Sequence, residues 1–362
     1  MNKLKTALAI VLLFAFSTSV FAQIDKMKWA KIITQKEPTW FATNEAFDIA
    51  DNVLLYQRNN GGWPKNIEMQ DHLSAEEKEK LVALKSELKG TTTDNLATTQ
   101  EMLYLSKMYT QIPDQRYVKS FISAFNYLLE AQYDNGGWPQ FYPLKKGYST
   151  HITYNDDSMV NILKVLKSCI ENDGTYSIAL PKETIEKAKI AFDKGIECIL
   201  KTQYKQNGVL TAWCQQHDEV TLQPAPARAY ELPSLSGKES AKIVLLLMSL
   251  KTPSPEVITA VNSAYIWFQK TKITSLKEIR VPIPNSKLFE KVMVDDFENA
   301  LPIWGRFMEL DNNKPFFCDR DGIKKYSLAE IGQERRIGYS WYSNQPKEVL
   351  KSYSKWSKKY NK

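Results

Sequence analysis

The segment Asn60-Gly61-Gly62-Trp63-Pro64 recurs as Asn135-Gly136-Gly137-Trp138-Pro139, and each copy follows an apolar helical pattern. A chain that spells the same turn twice is building one supersecondary unit more than once. In register ahead of the turns, Leu54 matches Leu129 and Gln57 matches Gln132, a repeat of 75 residues. That length exceeds one hairpin and suits a pair of helices with connecting loops. A third, worn copy follows in Leu200-Lys201-Thr202-Gln203-Tyr204, then Asn207-Gly208 and Trp213. The spacing predicts an all-α fold of stacked or ring-forming helical hairpins, with the Gly-Gly-Trp-Pro turns recurring at one end. Loops that share one end of a rigid scaffold are where a site gets built.

At the N-terminus, Lys3 and Lys5 precede an apolar run from Ala7 to Phe16, and Ser19-Val20-Phe21-Ala22 ends with small residues at the cleavage-reading positions. This reads as a secretory signal peptide over residues 1–22, leaving Gln23 as the new N-terminus. The run is short for a membrane span and no other stretch approaches the needed length. The mature chain is therefore expected to be exported, periplasmic or extracellular, free of the membrane and monomeric. Losing Lys3 and Lys5 takes the formal charge from +7 to +5, a modest excess that favours acidic partners. Nucleic acid is a poor candidate for an exported protein. Cys169 and Cys198 lie in apolar helical patterns, where buried thiols and a disulfide are both open readings, and Cys214 and Cys318 are widely spaced. The three histidines, His72, His151 and His217, are scattered without zinc-ligand spacing, which disfavours a zinc site or a Ser-His-Asp triad.

Helix follows helix along the chain. Ser74-Ala75-Glu76-Glu77 is a capping box opening a helix that Gly90 closes. Ser254-Pro255-Glu256 opens another, with Val257, Val261, Ala264, Trp267 and Phe268 on its apolar face. Further helical periods run at 42–58, 94–110, 114–132, 157–171, 182–204, 236–250 and 296–310. Strand signals are thin. The connections 134–156 and 206–235 are long and rich in Trp, Tyr, Pro, Asn and Asp, the character of functional loops. No linker divides residues 23–342, and the Lys-rich end from 343 to 362 reads as a solvated helix or tail.

Two acidic clusters, Thr93-Asp94-Asn95 and Asn155-Asp156-Asp157, stand at predicted helix starts on either side of the second turn. Simple N-capping would account for each. Placed at a common end, their oxygens would equally suit Ca²⁺, or an acid and base acting on a glycosidic bond. Arginines stand in three loops: Pro226-Ala227-Arg228-Ala229-Tyr230-Glu231-Leu232-Pro233, Asp319-Arg320-Asp321-Gly322, and Glu334-Arg335-Arg336-Ile337-Gly338-Tyr339. Singly each could be an inert surface group; together they suggest forked recognition of carboxylates. Trp213, Tyr339 and Trp341 could be core or a sugar-stacking platform, whereas Trp63 and Trp138 read first as plugs between helices.

Taken together, Leu54-Leu55-Tyr56-Gln57-Arg58 with Asn60 to Asn66, Thr93 to Gln100, Ile152 to Asn161, Ala227 to Glu231, and Glu334 to Tyr339 resemble polysaccharide lyase family 10, the pectate lyases with an (α/α) toroid. The likeness spans Ala46 to Tyr342 and is weakest between Lys251 and Asp296. It implies that residues 23–342 form the catalytic domain and cleave polygalacturonate by Ca²⁺-dependent β-elimination. By position it implies Asp94 and Asp156, with Asn95 or Asp157, as the calcium ligands, and Arg228 and Arg320 as clamps on uronate carboxylates. Glu231, Tyr339 and Trp213 join the implied substrate site. One arginine of the Arg335-Arg336 pair would be the base, with Arg336 preferred for its Arg-x-Gly-Tyr setting. The competing readings are an α/α-barrel glycoside hydrolase using Asp94 and Asp156, and a non-catalytic binder of acidic glycans.

Overall fold

The computed structural model describes residues 27–360, so the expected leader over residues 1–22 lies outside the described residues. The chain forms two compact units, one of the residues up to Glu130 with Ser168–Ile185, the other of Ala131–Lys167 with Glu186–Lys362. No helix among the described residues is long and apolar enough to cross a membrane.

The first unit carries α1 (Trp29–Gln35), α2 (Asn44–Tyr56), α3 (Ala75–Ala83), α4 (Thr99–Gln111) and α5 (Gln115–Glu130). Thr43 caps α2 by accepting from the Ala46 N–H, and Ser74 with Glu77 closes a full capping box on α3. The α3 helix stops at Ala83 and a single 3₁₀ turn, Leu84–Ser86, follows it. Helices α4 and α5 pack as a hairpin, burying Met102, Leu105 and Met108 on one side and Phe121, Phe125 and Leu128 on the other. Each such side chain contributes about 1.5–3 kcal/mol by leaving water.

The repeated turn then fastens one hairpin to the next. Gln57 Nε2 donates to the Gly61 carbonyl at 2.8 Å, inside its own turn, and to the Ser120 carbonyl on α5 at 2.9 Å. The Trp63 indole donates back to Val53 of α2 at 2.7 Å. Gly61 has φ +93°, and a Cβ there would meet the Ser123 carbonyl oxygen at 2.2 Å. Only glycine satisfies both conditions.

The second unit holds the greater part of α6 (Ser158–Glu171) and α7 (Lys182–Thr202), then α8 (Gly237–Met248), α9 (Pro255–Thr271), α10 (Gln333–Gly338) and α11 (Pro346–Tyr360). The same bonds reappear in it. Gln132 Nε2 donates to Gly136 at 3.0 Å and to Ala191 of α7 at 2.8 Å. Gln203 Nε2 donates to Thr211 at 2.9 Å and to Ala260 of α9 at 3.0 Å, while the Trp213 indole reaches Ile199 at 2.8 Å. The worn third copy is thus a true repeat, lengthened by the small hairpin Lys205–Gln206/Val209–Leu210 around Asn207-Gly208. Trp63, Trp138 and Trp213 are all buried plugs.

Two expectations fail in this unit. Leu276–Pro282 and Phe289–Asp295 form a seven-residue antiparallel ladder, where the sequence signal for strand was thin. Ile279, Val281, Val292 and Val294 favour extended backbone, and Pro284-Asn285 turns the chain, Asn285 at φ 58°. The helix expected over 296–310 is absent. Pro302 interrupts it, Trp304–Gly305 pairs with Tyr342–Ser343, and Arg306 N–H donates to Trp341 at 2.8 Å. The Lys-rich C-terminus is an ordered helix, α11, which buries Val349 and Trp356 and stacks Tyr353 on Tyr265 of α9 at 3.6 Å between ring centroids.

Gly136, at φ +90° with the Lys194 carbonyl oxygen 2.1 Å from an added Cβ, tests the turn. Gly136→Ala should cost at least about 3 kcal/mol by strain and displaced packing. Gly208→Ala, at φ +82° in open space, should cost about 1 kcal/mol. Equal urea midpoints for the two variants would remove the turn from its structural role.

Candidate active site

Each turn hands a polar pair to the residues after its tryptophan's backbone partner. In the first unit Trp63 pairs with Thr92, and two residues on come Asp94 and Asn95. In the second, Thr153 N–H donates to Trp138 at 3.0 Å and Ser236 N–H to Trp213 at 2.9 Å. Asn155-Asp156 and Lys238-Glu239 stand at the corresponding places. Asn95 and Asp156 share a left-handed backbone, φ 52° and 50°, which Asn and Asp tolerate best among residues with a Cβ. Within the first unit Lys65 forms an ion pair with the buried Asp94, and Asn95 Nδ2 donates to Asn66 at 2.9 Å.

In the second unit Asp156 sits among cations. Its Oδ1 lies 2.9 Å from Lys238 Nζ and 3.3 Å from Arg306 Nη2, and its Oδ2 accepts from Asn155 Nδ2 at 2.9 Å. Arg306 Nη2 also reaches Asn155 Oδ1 at 2.8 Å and the buried Glu239 at 3.2 Å, and Glu239 accepts from Ser236 Oγ. Burial opposes charge on the Asp156 carboxyl, yet Lys238 and Arg306 hold its pKa below the ordinary carboxylate value. Burial likewise opposes the charge on Arg306, and the carboxylates, Glu239 foremost, keep its pKa above normal. Asp156, Lys238, Arg306, Glu278, Tyr342 and Gln345 line a cleft of about 480 Å³. Two buried atoms of these residues, Arg306 Nε and Gln345 Oε1, have no hydrogen-bond partner.

From Arg306 the polar network runs on through an aromatic wall. Its guanidinium lies over the Tyr339 ring at 4.6 Å, and Tyr339 donates its hydroxyl to Glu231 at 2.9 Å. Glu231 grips Arg228 with both oxygens, at 2.7 Å to Nε and 2.5 Å to Nη2. Arg228 and Arg335 lie over the ring of Tyr230 at 4.9 and 4.6 Å, with Arg320 at 5.9 Å. Glu334 binds both Arg320 and Arg335.

A family model, pectic acid lyase, matches residues 57–350. The chain belongs to the pectic acid lyase family. Among solved structures it is similar to a family 10 polysaccharide lyase from Cellvibrio cellulosa, with 34% identity and a TM-score of 0.74, covering 90% of this chain and 94% of that one. An aspartate-to-alanine mutant of a family 10 polysaccharide lyase from Cellvibrio cellulosa, in complex with a trigalacturonic acid, is similar at 33% identity and a TM-score of 0.74, covering 90% and 95%. No curated protein matches. This pectic acid lyase is a polysaccharide-cleaving enzyme whose helical fold agrees with those neighbours.

Within the lyase, the residues expected from sequence separate into groups. Asp156 stands in the cleft, and Arg228, Arg320, Arg335, Glu231 and Tyr339 belong to the network around Tyr230 and Arg306. Trp213 does not present a sugar platform: it is fully buried and its indole is spent on Ile199. Glu231 is 3% exposed, so it orients Arg228 and Tyr339 instead of meeting solvent. Arg336 is apart from that network, paired with Glu290 at 2.6 and 3.0 Å and donating to the Ile331 and Ala329 carbonyls. Lys238, Glu239 and Arg306 escaped the sequence reading. The first two were available from it, since the third turn predicts their place; Arg306 was hidden inside the mistaken helix.

Asn155, Asp156 and Asp157 bring together oxygens of the kind a hard cation takes, with Lys238 and Arg306 now engaging Asp156 Oδ1 and Arg306 engaging Asn155 Oδ1. Asp157 has a buried Oδ1 without a hydrogen bond, and its carboxyl pKa is raised by burial and then by Glu239. A different trio, His151, Asp218 and Glu219, brings ligand atoms within 4.8 Å of one another. Its nitrogen ligand is not one that calcium selects.

Charge burial in this site has a measurable cost. Glu239→Gln leaves Arg306, whose side chain is 7% exposed, short of its buried carboxylate, and should destabilise by about 3 kcal/mol. Glu334→Gln, at an acid 60% exposed, should change stability by less than about 1 kcal/mol. Urea unfolding of both variants checks the order.

Proposed function

We propose that this chain is an exported pectate lyase that cleaves α-1,4-linked polygalacturonate by calcium-assisted β-elimination on an (α/α) toroid. The observation that carries the reading is Asp156, held ionised in the cleft between Lys238 and Arg306, in a chain of the pectic acid lyase family. The proton to be removed is on C5, α to the uronate carboxylate, and it is weakly acidic while that carboxylate keeps its full charge. Asp156, with Asn155 or Asp157, would supply oxygen ligands to the calcium. When bound, calcium neutralises carboxylate charge and so eases loss of the neighbouring proton. Arg306, which lines the cleft, would set its positive charge against a uronate carboxylate as negative charge builds there. Breaking the bond to O4 then leaves a 4,5-unsaturated end.

The base is an arginine, and we assign it to Arg228. Its side chain is 46% exposed, Glu231 and the Tyr230 face fix its direction, and the bridge through Tyr339 ties it to Arg306. Arg336, 18% exposed, pairs with Glu290 and two carbonyls outside that network, which is why we choose Arg228 over the Arg336 preferred from sequence. The hydrogen bonds from Arg228 to Glu231 raise its pKa above the ordinary arginine value. Neutral Arg228 is therefore scarce, and the rate should climb with pH through the alkaline range.

Polygalacturonate with Ca²⁺ should give rising absorbance near ~235 nm from the new conjugated double bond, and chelator should abolish it. New reducing ends without absorbance would instead identify a hydrolase. Arg228→Lys should lose at least about 100-fold in kcat, with Arg336→Lys staying within about threefold. The opposite pattern returns the base to Arg336.

A further inference from the structure

Glu278 is the one carboxylate lining the cleft that no cation answers. Lys238 and Arg306 are already shared between Asp156 and Glu239. Two cations thus face three carboxylates, and Glu278 makes no hydrogen bond or ion pair within the described residues. Its position is fixed. In the ladder Glu278 stands opposite Met293, and Met293 packs on the buried cluster that contains Phe307, Tyr339 and Trp341. Next to Met293's strand neighbours, Lys291 Nζ donates to the Tyr339 carbonyl at 2.7 Å and Glu290 holds Arg336. Burial first, and the charge of Glu278 second, push the Tyr342 phenol up to about 12, so the carboxylate acts on the cleft wall. Ile303 and Tyr342 give that wall an apolar surface.

We propose that Glu278 is a specificity-determining residue that makes its stretch of the cleft prefer a methyl-esterified uronate to an ionised one. An ionised uronate there meets an uncompensated like charge. A methyl ester removes the charge and offers its methyl to Ile303 and Tyr342. This rests on the pectate lyase reading, and it extends the reading from the reaction to the pattern of esters the enzyme works beside.

The test compares wild type, Glu278→Gln and Glu278→Lys by kcat/KM, with calcium present, on fully de-esterified polygalacturonate and on a highly methyl-esterified pectin. Glu278→Gln should raise kcat/KM on the de-esterified polymer about three- to fivefold, the scale of one screened charge contact, and leave the esterified polymer within about twofold. Glu278→Lys should push the ratio further the same way. Raising ionic strength should shrink the difference between wild type and Glu278→Gln. An unchanged ratio overturns the proposal. So does an equal fall on both polymers, which would make Glu278 an acceptor for sugar hydroxyls or a calcium ligand. Failure of the underlying reading looks different: wild type would give no absorbing product from either polymer.

Discussion

One side-chain amide carries the architecture. Gln57, Gln132 and Gln203 each donate to a carbonyl in their own turn and to a carbonyl on a following helix, Ser120, Ala191 or Ala260. A glutamine amide has two N–H groups, and here one serves a turn carbonyl while the other adds a second bond to a helix carbonyl that its own helix already serves. Losing the amide would leave the turn carbonyl short of a donor at a cost of about 1–3 kcal/mol. The close approach of turn to helix that makes these bonds possible also excludes every side chain but hydrogen at Gly61 and Gly136. The glutamine bond and the glycine are therefore one constraint, and the tryptophan fills the space the approach leaves behind.

That constraint reaches the chemistry through the residue two places beyond each tryptophan's partner. Thr92, Thr153 and Ser236 are held to Trp63, Trp138 and Trp213 by backbone bonds, so the polar residues that follow them are set by the turns. The left-handed backbone at Asn95 and Asp156 is part of the same device. It turns the chain sharply enough for a helix to begin and leaves the acidic side chains outside it. In the third copy the helix starts sooner, at Gly237, and delivers a lysine and a glutamate in place of the amide and acid. Repetition thus supplies both the scaffold and the sites, with the copies differing in charge.

The repeated helices were legible because 3.6-residue periodicity and caps are local signals. α2, α4 to α9 and the capping box of α3 lie close to where pattern and cap place them. The ladder at 276–295 was not legible, since its face is only half buried and its alternation is diluted by Lys277, Glu278, Glu290 and Lys291. The segment 296–310 misled for the opposite reason: Leu301, Ile303, Trp304 and Phe307 sit at helical spacing, but Leu301 is exposed and Trp304–Gly305 pairs with 342–343, a contact no local pattern announces. The site divides along the same line. Asp156 and the arginine loops stood out by type and sequence neighbourhood. Which arginine shares a network with Asp156 depends on Tyr339 joining Arg306 to Glu231 over separations of 33 and 108 residues, which only folding shows.

The network explains why those arginines can be both fixed and available. Asp156, Glu239, Glu231 and Glu334 each have a cationic partner, so the charges close on one another and none is stranded in a medium where an unpaired ion costs several kcal/mol. Tyr339 links the two halves because its ring face takes Arg306 while its hydroxyl takes Glu231. A planar guanidinium can serve several oxygens at fixed angles, and Arg306 Nη2 reaches Asn155, Asp156 and Glu239 together. That flat group also rests on the Tyr339 ring at 4.6 Å, so it joins the two carboxylates to the aromatic wall in a way a lysine's point charge would not, which is the physical reason for an arginine between them.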